Sequence, residues 1–137
     1  MGSVRWSDLH KYSLVWVEFG NNKNDLDCDD ELSYQNGLNL GHEFCYRHMA
    51  IVVSNNIKDT IISVVPLTSY KQNDELYPTN IVIDTNQYGY MIQNKTTIKV
   101  SHIKNIDKKK RVKKIIKPFI SKTLKLKIEE AVKKHFL

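Results

Sequence analysis

Short apolar runs separated by polar turns make up most of the first hundred residues. The segment Tyr12–Phe19 alternates so that Leu14, Trp16 and Glu18 share one face of a predicted strand. The continuous apolar run Met49–Val53, rich in β-branched residues, predicts a buried strand. Further strands are predicted at Thr60–Leu67, Thr79–Ile83 and Thr96–Val100.

The connections between these strands carry their own signals. Pro66 cannot donate to a ladder, so it predicts a sheet edge or a bulge near the end of its strand. The segment Asn86–Tyr90 predicts a turn, and Ser101–Asp107 predicts a connection that leads into a basic run beginning at Lys108.

A helix is predicted at the end of the chain. Ser121 is a good N-cap, and one apolar face follows it. The residues on that face are Leu124, Ile128, Ala131, Val132 and Phe136. We expect this helix to pack on the strands or across a dimer interface. Residues 1–137 are therefore predicted to form a single mainly β domain, a small barrel with a C-terminal helix.

Charge is unevenly distributed along the chain, whose net charge is +6. Most of the lysine and arginine lies between Lys99 and Lys134, which indicates a polyanionic or acidic partner, although lysine is favoured throughout the sequence. The long loop Asn21–Leu40 holds an acidic cluster, Asp25–Glu31. It is either a functional loop that lies over the basic surface or a solvated insertion.

Several classes of protein are excluded by simple patterns. Cys28 and Cys45 match no zinc spacing, and the histidines are scattered, so we expect no metal and no cofactor. No apolar run reaches the length of a membrane span and no signal peptide is visible, which predicts a cytoplasmic protein without a membrane partner.

Candidate chemistry lies where two predicted strands begin and end. Arg47 precedes the run Met49–Val53, and Thr68 and Ser69 directly follow the strand that ends at Leu67. Arginine binds phosphate through two hydrogen bonds and stays charged, and a hydroxyl can hold another oxygen of the same phosphate. The alternative is that Arg47 forms an ordinary surface ion pair at a strand end.

Three motifs in order resemble the MazF/PemK family of bacterial toxin ribonucleases. They are Gly-x-Glu-x-x-x-Arg ending at Arg47, Val-x-Pro-Leu-Thr-Ser ending at Ser69, and His-Ile-Lys-Asn-Ile-Asp-Lys beginning at His102. The likeness runs from about Tyr12 to the end of the chain. One departure is His48, which stands where the family usually has proline.

The resemblance implies a catalytic pair, Arg47 and Thr68, with Ser69 as a helper. Glu43 matches the family's glutamate, which either orients Arg47 or completes a turn. The imidazole of histidine titrates near neutral pH, so His48 is an acid or base candidate. However, an extended strand sends neighbouring side chains to opposite faces, so His48 ranks below the pair.

The resemblance also implies an SH3-like barrel that works as a homodimer with RNA across its interface. The implied activity is metal-independent, sequence-selective cleavage of single-stranded RNA to 2′,3′-cyclic phosphate and 5′-hydroxyl ends. The chain would be the toxin of a toxin–antitoxin pair, and its protein partner an acidic antitoxin. Two alternatives stay open: a non-catalytic toxin of the same fold that poisons DNA gyrase, and a simple nucleic-acid-binding module.

Overall fold

The computed structural model describes residues 4–22, 38–39 and 47–137. Its strands are β1 (Leu14–Glu18), β2 (Asn21–Asn22), β3 (Leu38–Asn39), β4 (Arg47–Val52), β5 (Ile61–Ser69), β6 (Asn80–Ile83), β7 (Thr96–Lys99), β8 (Lys104–Asp107) and β9 (Val112–Lys117). Its α-helices are α1 (Thr85–Tyr88), α2 (Lys108–Arg111) and α3 (Lys122–Phe136), and short 3₁₀ turns lie at Trp6–Asp8, Asp74–Leu76 and Val100–His102.

One antiparallel sheet organises the chain. Its strands follow the order β6-β7-β5-β4-β1-β9, and β8 also pairs with β5. The two-residue strands β2 and β3 form a separate parallel pair. The predicted mainly β fold with a C-terminal helix is therefore confirmed. Among the described strands no ladder joins β9 to β6 or β8, so the sheet is not closed and the word barrel fits it only loosely.

Strand β5 lies inside the sheet and changes partner along its length. Its first part pairs with β8 and its last part, from Leu67 to Ser69, pairs with β7. Pro66 lies between these two parts, where neither strand pairs with β5, and this position suits a residue without an N–H. Pro66 thus marks a change of partner rather than the edge or bulge that the sequence predicts.

The sequence does not predict two strands that the structure shows in the basic half of the chain. Strand β8 occupies part of Ser101–Asp107, and β9 runs through lysine-rich sequence beside β1. Neither shows a clean apolar alternation, because β8 buries only Ile106 and β9 buries only Val112. Asn86–Tyr90 is also partly helical rather than a simple turn, since the Asp84 side chain caps α1 by accepting from the N–H of Gln87.

Apolar side chains form two clusters, one on each face of the sheet. The first contains alternate residues of β1 and β4, such as Leu14 and Ile51, and is covered by helix α3. The second contains the intervening residues, such as Val15 and Val17, together with Leu9 beside the first 3₁₀ turn. This separation follows from the period of two in a strand.

Helix α3 begins where the sequence predicts. The Ser121 hydroxyl accepts from the N–H of Leu124 at 3.3 Å, and the helix buries Leu124, Ile128 and Ala131 in the first cluster. Phe136 differs from the prediction, because it is 63% exposed in the last turn. The Tyr12 hydroxyl donates to Glu129 Oε1 at 2.7 Å, which ties the helix to the start of β1. Burial, with the Glu129 carboxylate, raises the pKa of Tyr12.

Candidate active site

An ion pair between neighbouring strands positions the candidate catalytic cation. Arg47 is the first residue of β4 and lies directly opposite Glu18, the last residue of β1. Arg47 Nε lies 3.5 Å from Glu18 Oε2, and the two side chains are 40% and 13% exposed. A pair this exposed contributes little to stability. Its consequence is geometric, because an arginine held through Nε can present its two terminal nitrogen atoms to a phosphate.

The candidate hydroxyls come from the neighbouring strand β5. Thr68 and Ser69 are its last two residues and pair with Thr97 and Thr96 of β7. The ladder between β4 and β5 stops at Ala50 and Pro66, short of Arg47 and of both hydroxyls. Beyond that point the two strands separate, and a cavity opens between them.

This cavity has a volume of about 550 Å³ and brings together the predicted residues Arg47, His48, Thr68 and Ser69. The other lining residues are Trp16, Met49, Leu67, Met91, Gln93, Asn94, Thr96, Lys114 and Ile116. Two cations, several hydroxyls and amides, and an apolar wall therefore surround one space, and none of these lining residues is a carboxylate. Such a cavity can accept a phosphodiester together with an attached base.

His48 contributes to the same cavity but differs in orientation from Arg47. The register of β4 sends alternate side chains to opposite faces, and the ring of His48 lies 6.2 Å from that of Phe19, tilted by 59°. Phe19 belongs to the second apolar cluster, whereas Met49 beside His48 packs on the first. The opposite orientations of His48 and Arg47 agree with the strand alternation predicted from the sequence, which makes His48 the weaker catalytic candidate.

A buried aspartate fixes the chain just beyond the two hydroxyls. Asp74 Oδ2 accepts from the Thr97 hydroxyl at 2.7 Å and from the Lys71 N–H at 2.9 Å. These donors, the Lys71 N–H first, lower the pKa of Asp74 from its ordinary value. Because Thr97 pairs with Thr68, this contact holds the end of β5 and the following loop together.

A lysine and an aromatic ring that contact each other directly follow two cavity-lining residues in the sequence. Lys95 Nζ lies 4.0 Å from the centre of the Tyr70 ring, and these residues directly follow the lining residues Asn94 and Ser69. The Tyr70 hydroxyl also donates to the carboxylate of Glu75. The Tyr70 ring therefore joins the Lys95 cation and the Glu75 carboxylate, so charge of both signs lies beside the cavity on this side.

Sequence reasoning missed Glu18 and Lys114. The alternation placed Glu18 on the face of Trp16, but only the register of β1 against β4 sets it opposite Arg47. Lys114 pairs with Trp16 through β9, a strand that the sequence does not predict. Glu43, the predicted partner of Arg47, lies outside the described residues, as do Cys28, Cys45 and most of the loop 21–40.

The described residues contain no group of three or more His, Cys, Asp or Glu side chains that could hold a metal ion. Among the described helices, none is long and apolar enough to span a membrane.

Comparison with solved structures supports the fold. The chain is similar to an endoribonuclease from a mycobacterial species, solved in complex with its cognate antitoxin, with a TM-score of 0.55 and 13% identity over 93% of each chain. It is also similar to MazF from Deinococcus radiodurans, with a TM-score of 0.62 and 15% identity over 93% of this chain and 94% of that one. Identities this low establish the fold alone.

Comparison of the sequence itself establishes more than the fold. No curated protein matches it significantly. A family profile matches residues 34–136, which include Arg47, Thr68 and Ser69, and its description is "PemK-like, MazF-like toxin of type II toxin-antitoxin system". Because that match spans most of the chain, the protein belongs to the family of PemK-like, MazF-like toxins of type II toxin–antitoxin systems.

Proposed function

We propose that the protein is an endoribonuclease that cuts single-stranded RNA without a metal ion and leaves 2′,3′-cyclic phosphate and 5′-hydroxyl ends. The observation that carries the proposal is the single cavity in which Arg47, Thr68 and Ser69 meet without a carboxylate. Family membership and the named activity of the mycobacterial relative support the same class of reaction.

RNA carries its own nucleophile, the ribose 2′-hydroxyl. That oxygen attacks the adjacent phosphorus, and the 5′ oxygen leaves on the opposite side. The enzyme has to remove one proton, supply another and neutralise the charge that builds on the phosphoryl oxygens. In our proposal Arg47 neutralises that charge and Thr68 donates a hydrogen bond to a phosphoryl oxygen. Lys114 holds a neighbouring phosphate.

Supporting residues have separate roles in this proposal. Glu18 orients Arg47 through the contact to Nε. Ser69, exposed at the end of β5, assists Thr68. His48 lines the cavity and is the candidate for proton transfer, although it departs from the family motif, whereas Glu43 belongs to that motif and would orient Arg47. An acidic antitoxin would compete with RNA for the cationic cavity, in keeping with the net charge of +6. Family membership is what supports a homodimer as the active form.

We expect the purified protein to cleave a long single-stranded RNA at full rate in excess EDTA, because Arg47 and Lys114 supply the positive charge that a metal would otherwise provide. A polynucleotide kinase should label the new 5′ ends without prior phosphatase treatment. A parallel assay should follow supercoiling by DNA gyrase.

Two results would contradict this reaction. Activity that disappears in EDTA and returns with a divalent ion, or 5′-phosphate ends, would refute the metal-free mechanism. Inhibition of gyrase by a protein that leaves the RNA intact would favour the gyrase-poison alternative.

We expect Thr68→Ala to lower the cleavage rate by about 10²-fold, because it removes a hydroxyl that contacts the charged transition state. Thr68→Ser should retain most of the activity, since it keeps that hydroxyl. Thr123→Ala, which removes an exposed threonine on α3, is the matched control and should cleave like the wild type. Equal rates in folded Thr68→Ala and Thr123→Ala would exclude Thr68 from the reaction.

A further inference from the structure

A second cavity of about 550 Å³ lies beside the N-terminal 3₁₀ turn. Trp6, Leu9 and Ile57 line it, and all three belong to or pack against the second apolar cluster. The candidate active site is instead lined by residues of the first cluster, including Leu67 and Met91. The two cavities share no lining residue.

Three lysines line this second cavity, and none of its lining residues is a carboxylate. Lys108 is fixed in place, because its Nζ donates to the Ile57 carbonyl at 2.7 Å. Lys58 and Lys109 are exposed. The nearby carboxylate of Asp8 lies 3.7 Å from Arg5, so an acid close to the cavity is already matched by a cation.

Aromatic surface continues from the cavity through His10. His10 lines the cavity, and its ring stacks on Phe119 with centroids 4.6 Å apart and planes 19° from parallel. Phe119 is 59% exposed, although it is a large apolar side chain. Lys125 Nζ lies 5.8 Å from the centre of the Phe119 ring, so a cation accompanies this aromatic pair as well.

We propose that this region, the N-terminal surface, is a second binding site that takes single-stranded nucleic acid. It comprises Trp6, His10, Phe119, Lys58, Lys109 and Lys125. Bases stack on the rings and phosphates lie against the lysines, which is how proteins bind single strands without reading sequence. An acidic peptide would satisfy the lysines but would not cover the exposed surface of Phe119 with a stacked ring.

The proposal does not rest on RNA cleavage, because the cavity on this surface shares no lining residue with the cavity that contains Arg47. It predicts that a long RNA contacts the toxin at two places, which would raise its affinity over that of a short fragment. The probe can therefore be a DNA strand such as oligo(dT), which has no 2′-hydroxyl and cannot be cut by the proposed mechanism.

The test uses the intrinsic fluorescence of Trp6. The chain has two tryptophans, so Trp16→Phe leaves Trp6 as the only one. In that background we expect oligo(dT) to quench the fluorescence saturably, with an affinity that falls as salt rises. Lys58→Gln with Lys109→Gln should weaken binding at least fivefold and lower the slope of log K against log salt by about 1.4. Phe119→Ala should weaken it about tenfold.

Two controls separate this surface from general charge and from a site for acidic ligands, and the Trp6 signal reports on this surface because Trp6 does not line the candidate active site. Lys127→Gln with Lys134→Gln removes the same charge from exposed positions of α3 that line a different cavity, beside Pro78 and Asn80, and should leave the affinity unchanged. Poly-glutamate should bind at least tenfold more weakly than oligo(dT). The proposal fails if Trp6 is not quenched, if the two double variants behave alike, or if poly-glutamate binds as tightly as the DNA strand. A protein that binds DNA here but cuts no RNA would refute only the proposed nuclease function.

Discussion

Arg47→Ala should lower the rate of RNA cleavage by about 10²–10³-fold or more, because it removes a charged donor from the phosphoryl oxygens of the transition state. Arg47→Lys should recover only part of this loss, since an ammonium group cannot form the bidentate contact of a guanidinium. Single-turnover rates with saturating RNA would measure the chemical step directly, and circular dichroism would confirm that each variant folds.

The matched control is Lys133→Ala, which removes one positive charge from an exposed position on α3. It should cleave like the wild type, so a loss specific to Arg47 is not an effect of net charge. Both arginine variants should keep their fold, because the Arg47 side chain is 40% exposed. A folded Arg47→Ala protein with the control's rate would remove Arg47 from the mechanism.

The site depends on where two strands separate. Arg47 lies at the start of β4 and Thr68 near the end of β5. Because the two strands are antiparallel, both residues lie at the same end of the strand pair. The ladder between them stops at Pro66, which leaves room for a ligand where further pairing would have closed the gap. The register of β4 against β5 therefore both places Arg47 near Thr68 and leaves the space in which they can bind a ligand.

Local patterns in the sequence predict part of this arrangement. Alternation in Tyr12–Phe19 and the apolar run Met49–Val53 identify β1 and β4 because both strands bury apolar side chains. The cap at Ser121 similarly identifies α3. Arg47 and Thr68 could be chosen because they flank such runs, and the structure brings them to one cavity.

Long-range pairing accounts for what sequence reasoning missed. Glu18 is an ordinary carboxylate until the register of β1 sets it opposite Arg47. Strand β9 has a lysine-rich sequence that is typical of a solvated segment, and its pairing with β1 is what carries Lys114 to the cavity. Neither relation is encoded within a short window, because a strand's partner depends on residues far away in the chain.

Ile128→Ala should lower the free energy of unfolding by about 2–5 kcal/mol, the usual cost of deleting a fully buried aliphatic side chain and leaving a cavity. Ile128 is completely buried on the inner face of α3, in the apolar cluster that also contains Leu67 and Met91 of the candidate active site. Leu126→Ala is the matched control on the same helix, since Leu126 is 56% exposed, and it should change stability by less than about 0.5 kcal/mol. Urea denaturation at one fixed protein concentration would measure both, because any dimerisation makes stability depend on concentration. Equal midpoints for the two variants would mean that the helix does not stabilise the sheet through its buried face.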